Sequence, residues 1–135
     1  MYLNVVACIL KKNEKILISS RPQNKIFSGF FEFPGGKINP NEFVIEALKR
    51  EIYEELGVMI DLRSIFFLKS YHVIQRKKKI RLIFFLCLNW FGEIFSKELQ
   101  EFKWISPLSL NEFKMLKSND KIINYLLSRS FPTTY

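Results

Sequence analysis

Glu51, Glu54 and Glu55 stand at i, i+3 and i+4 within a stretch, Glu42 to Leu56, whose apolar residues Ile45, Leu48, Ile52 and Leu56 recur at intervals of three and four. That periodicity predicts a helix, on which the three carboxylates share one patch beside the apolar stripe. Left alone, like charges so spaced weaken a helix by roughly 0.2–0.5 kcal/mol per pair. A divalent cation reverses the sign, because hard ions such as Mg²⁺ take oxygen ligands, keep several waters and are often completed by substrate phosphates. The patch therefore suits metal-assisted phosphate chemistry. The plainer reading is a solvated helical face on which Arg50 and Glu54 form an i, i+4 pair of little energetic worth.

The flanking residues decide between the two. Gly36 precedes Glu42 by six residues, Glu42 precedes Arg50 by eight, and Arg50 leads into Glu51-Ile52-Tyr53-Glu54-Glu55-Leu56-Gly57-Val58. The segment resembles the Nudix box, matching it at nine positions over 23 residues, glycines, glutamates, arginine and aliphatic positions alike. The resemblance implies that Glu51, Glu54 and Glu55 bind a divalent metal, Mg²⁺ or alternatively Mn²⁺, together with the Gly35 carbonyl. It implies further that Arg50 orients a metal-binding glutamate and that Glu42 braces the loop, with Gly36 and Gly57 as structural positions of the motif. Metal bound in this way lowers the pKa of an attacking water and neutralises charge on phosphate oxygens. Hydrolysis then depends on positioning more than on covalent catalysis.

Phe33-Pro34-Gly35-Gly36-Lys37-Ile38 and Trp104-Ile105-Ser106 are similar to the MutT branch of the same superfamily. That likeness implies a nucleoside triphosphate converted to monophosphate and pyrophosphate, with 8-oxo-dGTP as the leading substrate in nucleotide-pool sanitation. Arg21 matches a MutT arginine near the nucleotide, and Asn119 matches the asparagine that reads the base. Phe33 and Lys37 join them as expected substrate contacts. An asparagine amide both donates and accepts, which suits a purine edge, yet Asn119 also stands where a helix N-cap belongs, ahead of Ile122, Ile123, Leu126 and Leu127. Both readings stay open. Glu98, six residues before Trp104, resembles a MutT loop glutamate that joins the metal site or helps to activate water; Glu101 competes, and a solvent-facing role is open for either. His72, the single histidine, lies in an apolar-aromatic run that favours a core or rim role. Ile26 departs from the enterobacterial pattern, which leaves the substrate open. None of the fourteen phenylalanines is singled out as a stacking platform.

The elements that must position these residues follow from the pattern of the chain. Leu3–Leu10 and Ile16–Ser20 read as a hairpin around a polar turn, and a long loop runs from Arg21 to the Pro34-Gly35-Gly36 turn. Gly57 supplies a helix stop. Ser64–Ile74 and Ile80–Trp90 form a second hairpin with a basic tip, Gln75-Arg76-Lys77-Lys78-Lys79, read here as solvated rather than as a phosphate clamp. Phe102–Ile105 is a short strand, Ser106-Pro107 a helix start, and Asn119–Leu127 a terminal helix. The expected fold class is α+β, the Nudix α/β/α sandwich with a mixed sheet, a catalytic loop-helix-loop and a C-terminal helix.

The chain has 135 residues, 48% of them hydrophobic, enough for one domain over 1–135 with a single core. A formal charge of +8 attracts polyanions without choosing among them. Cys8 and Cys87 lie in apolar strands with no thiol or histidine at ligand spacing, as core residues of a reduced, cytoplasmic protein would. Val5-Val6-Ala7-Cys8 lacks the basic flank of a signal, and no apolar run approaches the ~20 residues of a membrane span. The expected partner is a small nucleotide, with no membrane and no direct nucleic acid required, and with a monomer or homodimer. Two rivals remain. One is a Nudix hydrolase for ADP-ribose, dinucleoside polyphosphates or ordinary NTPs; the other is a non-catalytic nucleotide- or RNA-binding Nudix module, for which an intact glutamate set is superfluous.

Overall fold

The computed structural model describes residues 2–97 and 100–128. Strand β1 (Leu3–Lys12) turns through Asn13 and Glu14 into β2 (Lys15–Ser20). Both turn residues have positive φ, 52° and 64°, as a two-residue hairpin matched to right-handed strand twist demands. After the 21–30 loop come β3 (Phe31–Glu32), β4 (Gly35–Lys37) and helix α1 (Val44–Leu56). Strand β5 (Met59–Ile60) and a 3-10 turn at Leu62–Ser64 lead to the long hairpin of β6 (Ile65–Gln75) and β7 (Lys78–Cys87). Strands β8 (Trp90–Phe91) and β9 (Phe102–Ile105), two 3-10 segments and helix α2 (Asp120–Leu127) complete the described chain.

The sheet is mixed. Strand β1 runs parallel to β7, with Leu3 opposite Ile80 and Leu10 opposite Cys87, while its other edge pairs antiparallel with β4. Strand β6 closes one side against β7, with a register shift between Phe67 and Lys69. Beyond the β1–β2 turn, β2 stands between β3 and β9. Strand alternation divides the core in two: Val6, Cys8 and Leu10 of β1 pack with Ala47, Leu48, Ile52 and Leu56 of α1, whereas Ala7 and Ile9 pack with Ile122, Ile123 and Leu126 of α2. Each large apolar side chain fully buried in these layers contributes about 1.5–3 kcal/mol. This is the expected α/β/α sandwich.

Three expectations shift. Helix α1 begins at Val44, not Glu42, because Asn41 has φ 65° and Phe43 is extended, while the Glu46 carboxylate accepts from the Phe43 N–H at 2.9 Å. In its first turn Val44 packs toward the core and Ile45 is exposed, so the buried stripe is Ala47, Leu48, Ile52 and Leu56. The second hairpin ends at Cys87, and Trp90 belongs instead to a two-residue strand against Ile60, with its ring stacked on Trp104 at 5.9 Å. Gly57 does end α1, at φ 73°, with its N–H donating to the Tyr53 carbonyl at 2.9 Å. Ser106 caps as expected, accepting from the Leu108 N–H, although the helix it opens is 3-10.

Candidate functional site

Two glycines bring a strand against the acidic helix. A β-carbon on Gly35 would run into the Val6 carbonyl and the Ala7 backbone, and one on Gly36 would run into the Glu51 carboxylate. Gly35 also donates its N–H to Glu55 Oε2 at 3.0 Å, which ties β4 to the last turn of α1. Gly35→Ala should therefore cost several kcal/mol, of the order seen for overpacking against atoms that cannot yield. Gly36→Ala meets only the end of a side chain, so it should leave the melting temperature nearly intact while displacing Glu51 and lowering kcat by roughly tenfold or more. Thermal denaturation and turnover measured side by side distinguish the two outcomes.

Arg50 organises the rest. All five of its N–H donors are used: Nε and Nη2 reach the two oxygens of Glu42 at 2.8 and 2.9 Å, Nη2 also reaches the Lys37 carbonyl at 2.9 Å, and Nη1 reaches Glu51 at 2.9 Å and Glu54 at 3.0 Å. Glu42 accepts in addition from the Asn39 N–H at 3.0 Å. These bonds, the Arg50 contact foremost, hold the Glu42 carboxyl down at about 2, and the same contact raises Arg50. The i, i+4 pair of Arg50 with Glu54 exists, but as one arm of a fork that spans loop, strand and helix.

Glu51, Glu54 and Glu55 line one cleft of about 610 Å³, together with Gly35, Gly36 and Lys37. Among the described residues no three acidic, thiol or imidazole groups form a ready-made cage for an ion. The donor set nevertheless fits a hard divalent cation. It is all oxygen, and two of its carboxylates are bridged by a single guanidinium nitrogen; such an ion keeps waters and accepts phosphate oxygens in place of an all-protein cage.

Arg21 and Asn119 reach the same cleft. Arg21 donates to the Ile26 carbonyl and to Glu32 Oε2, both at 3.3 Å. Asn119 precedes α2 and is 6% exposed, yet its side chain makes no cap bond. The capping reading therefore lapses and leaves a buried residue of the cleft lining whose amide caps no helix. Phe33 borders the cleft but is 3% exposed and meets Phe84 edge-on at 6.3 Å, so it supports the floor and offers no stacking face. His72 lies outside the lining, accepting from Arg81 Nε at 3.1 Å and packing against Tyr2, a rim role. Glu101 also lies outside it and pairs with Lys103 at 3.6 Å. Glu98 lies outside the described residues.

Several lining residues escaped the reading of the sequence: Glu32, Lys25, Gln75, Gln100 and Ser118. Glu32 is the most consequential, since burial pushes its carboxyl up against the opposing pull of Arg21 and Lys25. Its position immediately before Phe33-Pro34-Gly35-Gly36 was the available signal. Lys25 and Gln100 lie in loops, Ser118 in a 3-10 turn and Gln75 at the end of β6, and no local pattern marks any of them as cleft lining.

Residues 1–126 match the NUDIX domain family. The 8-oxo-dGTP diphosphatase of Buchnera aphidicola subsp. Schizaphis graminum is 40% identical over 96% of this chain and 97% of its own length. The CTP pyrophosphohydrolase of Escherichia coli is 32% identical over 78% of this chain and 76% of its own length. The solution structure of the E. coli ORF135 protein superimposes with a TM-score of 0.83 at 26% identity, covering 94% of this chain and 89% of that one. With the acidic helix, its arginine fork and its glycine-lined strand in place, this chain belongs to the NUDIX family.

Proposed function

We propose that this protein hydrolyses a nucleoside triphosphate to the monophosphate and pyrophosphate, with 8-oxo-dGTP as the preferred substrate. The observation that carries the reading is the meeting, in one cleft, of three helical glutamates with a buried asparagine amide that caps nothing. The Buchnera relative bears the name of that activity. Members of this family generally need a divalent metal; Mg²⁺ is the proposed ion, with Mn²⁺ able to replace it. Such an ion acidifies water and screens phosphate charge when bound. Glu51, Glu54, Glu55 and the Gly35 carbonyl would hold it, Arg50 fixes two of those carboxylates, and Glu42 fixes Arg50. Arg21 and Lys37 neutralise the phosphate chain, and Asn119 reads the base edge. Water adds to one phosphorus of the α–β anhydride as the bridging oxygen leaves with the other, the proton passing to a carboxylate, for which Glu98 is the proposed acceptor. The substrate pool is that of the cytoplasm, and among the described residues no helix is long and apolar enough to cross a membrane. A monomer or homodimer suffices.

A second reading, hydrolysis of an ordinary pyrimidine triphosphate, is favoured by the likeness to the CTP pyrophosphohydrolase. Purified protein with Mg²⁺ and a panel of 8-oxo-dGTP, dGTP, CTP and ADP-ribose, compared by kcat/KM and product identity, separates them. A preference for CTP, or the absence of pyrophosphate among the products, would overturn the first reading. Asn119→Ala should cut the preference for 8-oxo-dGTP over dGTP by roughly tenfold to a hundredfold, since one or two hydrogen bonds to a base are at stake. Metal-dependent turnover of both nucleotides should survive; unchanged discrimination would remove Asn119 from the site.

A further inference from the structure

The cleft is poorly charged for the ligand proposed for it. Arg21, Lys25 and Lys37 face four carboxylates, those of Glu32, Glu51, Glu54 and Glu55, a formal balance of −1. A triphosphate carries several negative charges, so the side chains of the lining alone do not draw one in. A divalent ion held by the glutamates would bring that balance only to +1, so a basic feature beside the cleft would add to the attraction, and one feature of the fold supplies it.

The β6–β7 hairpin runs out past the cleft and ends in Arg76-Lys77-Lys78-Lys79. Gln75, the last residue of β6, lines the cleft, and so do Ile80 and Leu82 of β7. Strand alternation places Lys78 on the same face as Ile80 and Leu82, and the register sets it directly opposite Gln75. Paired residues in adjacent strands lie about 5 Å apart, and the Debye length is about 8 Å at physiological salt. The cation on Lys78 is therefore felt inside the cleft. Arg76 and Lys77 occupy the turn itself, both at positive φ, 52° and 67°. All four basic residues are exposed, and none has an ion-pair partner among the described residues. Their charge is not spent within the fold.

We infer that the tip of this hairpin is an electrostatic capture arm for the polyphosphate tail of the incoming nucleotide, with Lys78 as its cleft-facing residue. This rests on the nucleoside triphosphate reading above and goes beyond it. The arm acts on encounter: it concentrates the polyanion at the mouth and leaves the bond-breaking step to the acidic helix. The reading as a merely solvated tip gives way because Gln75 belongs to the cleft wall.

The test compares wild type with an Arg76→Gln/Lys77→Gln/Lys78→Gln variant, and with a Lys12→Gln/Lys15→Gln/Lys103→Gln variant that loses the same charge away from the cleft. At low ionic strength the arm variant should lose about tenfold in kcat/KM for 8-oxo-dGTP, the lower end of what steering supplies, with kcat within about twofold of wild type. The deficit should close at high salt, and the control variant should stay within about twofold of wild type. Binding of inorganic tripolyphosphate, measured without turnover, should weaken in the arm variant and lose most of its salt dependence. Equal kcat/KM in wild type and arm variant at low salt overturns the inference. So does an equal loss in the control, or a loss confined to kcat. If the wild type hydrolyses no nucleoside triphosphate, the functional reading falls, and tripolyphosphate binding still decides the arm: equal affinity and salt slope in both proteins rejects it.

Discussion

Glu51→Gln and Glu54→Gln should each lower kcat by about a thousandfold or more, roughly 4 kcal/mol of transition-state stabilisation, while the melting temperature stays within a few degrees of wild type. The substitution keeps side-chain length and volume, and a glutamine carbonyl can still accept from Arg50 Nη1, which now donates at 2.9 Å to Glu51 and at 3.0 Å to Glu54. What goes is one negative charge from a carboxylate patch. For the fold that loss is close to neutral, because relief of like-charge repulsion of about 0.2–0.5 kcal/mol per pair is set against a weakened pairing with Arg50. For a divalent ion it removes a large part of the attraction. Activity and stability are thus expected to move independently, and the activity loss should be accompanied by a higher Mg²⁺ requirement. Turnover and unfolding measured on the same preparations settle the matter: if both variants hydrolyse nucleotide at the wild-type rate, the patch is only a solvated helical face.

How far the sequence reaches is visible in these same residues. Glu51, Glu54 and Glu55 could be placed on one patch because helical spacing is a local rule, and the pairing of Arg50 with Glu54 followed from the same rule. The arms of Arg50 to Glu42 and to the Lys37 carbonyl depend on a loop folding back over the helix. The motif resemblance implied a bracing role for Glu42 and an orienting one for Arg50, but neither of these contacts. Asn119 shows the opposite limit. Its position at the start of α2 is what a cap requires, and local preference could not tell that it makes no cap bond and belongs to the cleft lining. The two-residue strands β3, β5 and β8 carry no periodicity, since alternation needs more residues than they have. For Glu32 the adjacent Phe33-Pro34-Gly35-Gly36 was the one local signal, while its contacts to Ser19 across the sheet and Arg21 across the loop are not written in its immediate sequence.

Replacing Arg50 by lysine retains the charge and removes the fork, so it isolates geometry from electrostatics. A lysine ammonium offers three donors on a flexible stem and cannot span Glu42, Glu51, Glu54 and the Lys37 carbonyl together. Arg50→Lys should therefore lower kcat by about a hundredfold, roughly 2.7 kcal/mol, because the two carboxylates bridged by Nη1 lose their common anchor. Its effect on stability should depend on pH with a definite sign. Glu42 is held at about 2, below its ordinary carboxylate value, chiefly by Arg50. A depressed acid stabilises the fold fully above its unfolded pKa and loses that contribution as pH falls through the folded one. Wild type should accordingly exceed the lysine variant in denaturant stability from neutral pH down to the ordinary carboxylate range. The gap should then close between there and about pH 2, as Glu42 takes up its proton in both proteins. Denaturant titrations at neutral and strongly acidic pH measure that gap directly. A gap of the same size at both ends would mean that the packing of the Arg50 stem stabilises the loop; a full wild-type kcat in the variant would mean that the fork is dispensable to the glutamates it holds.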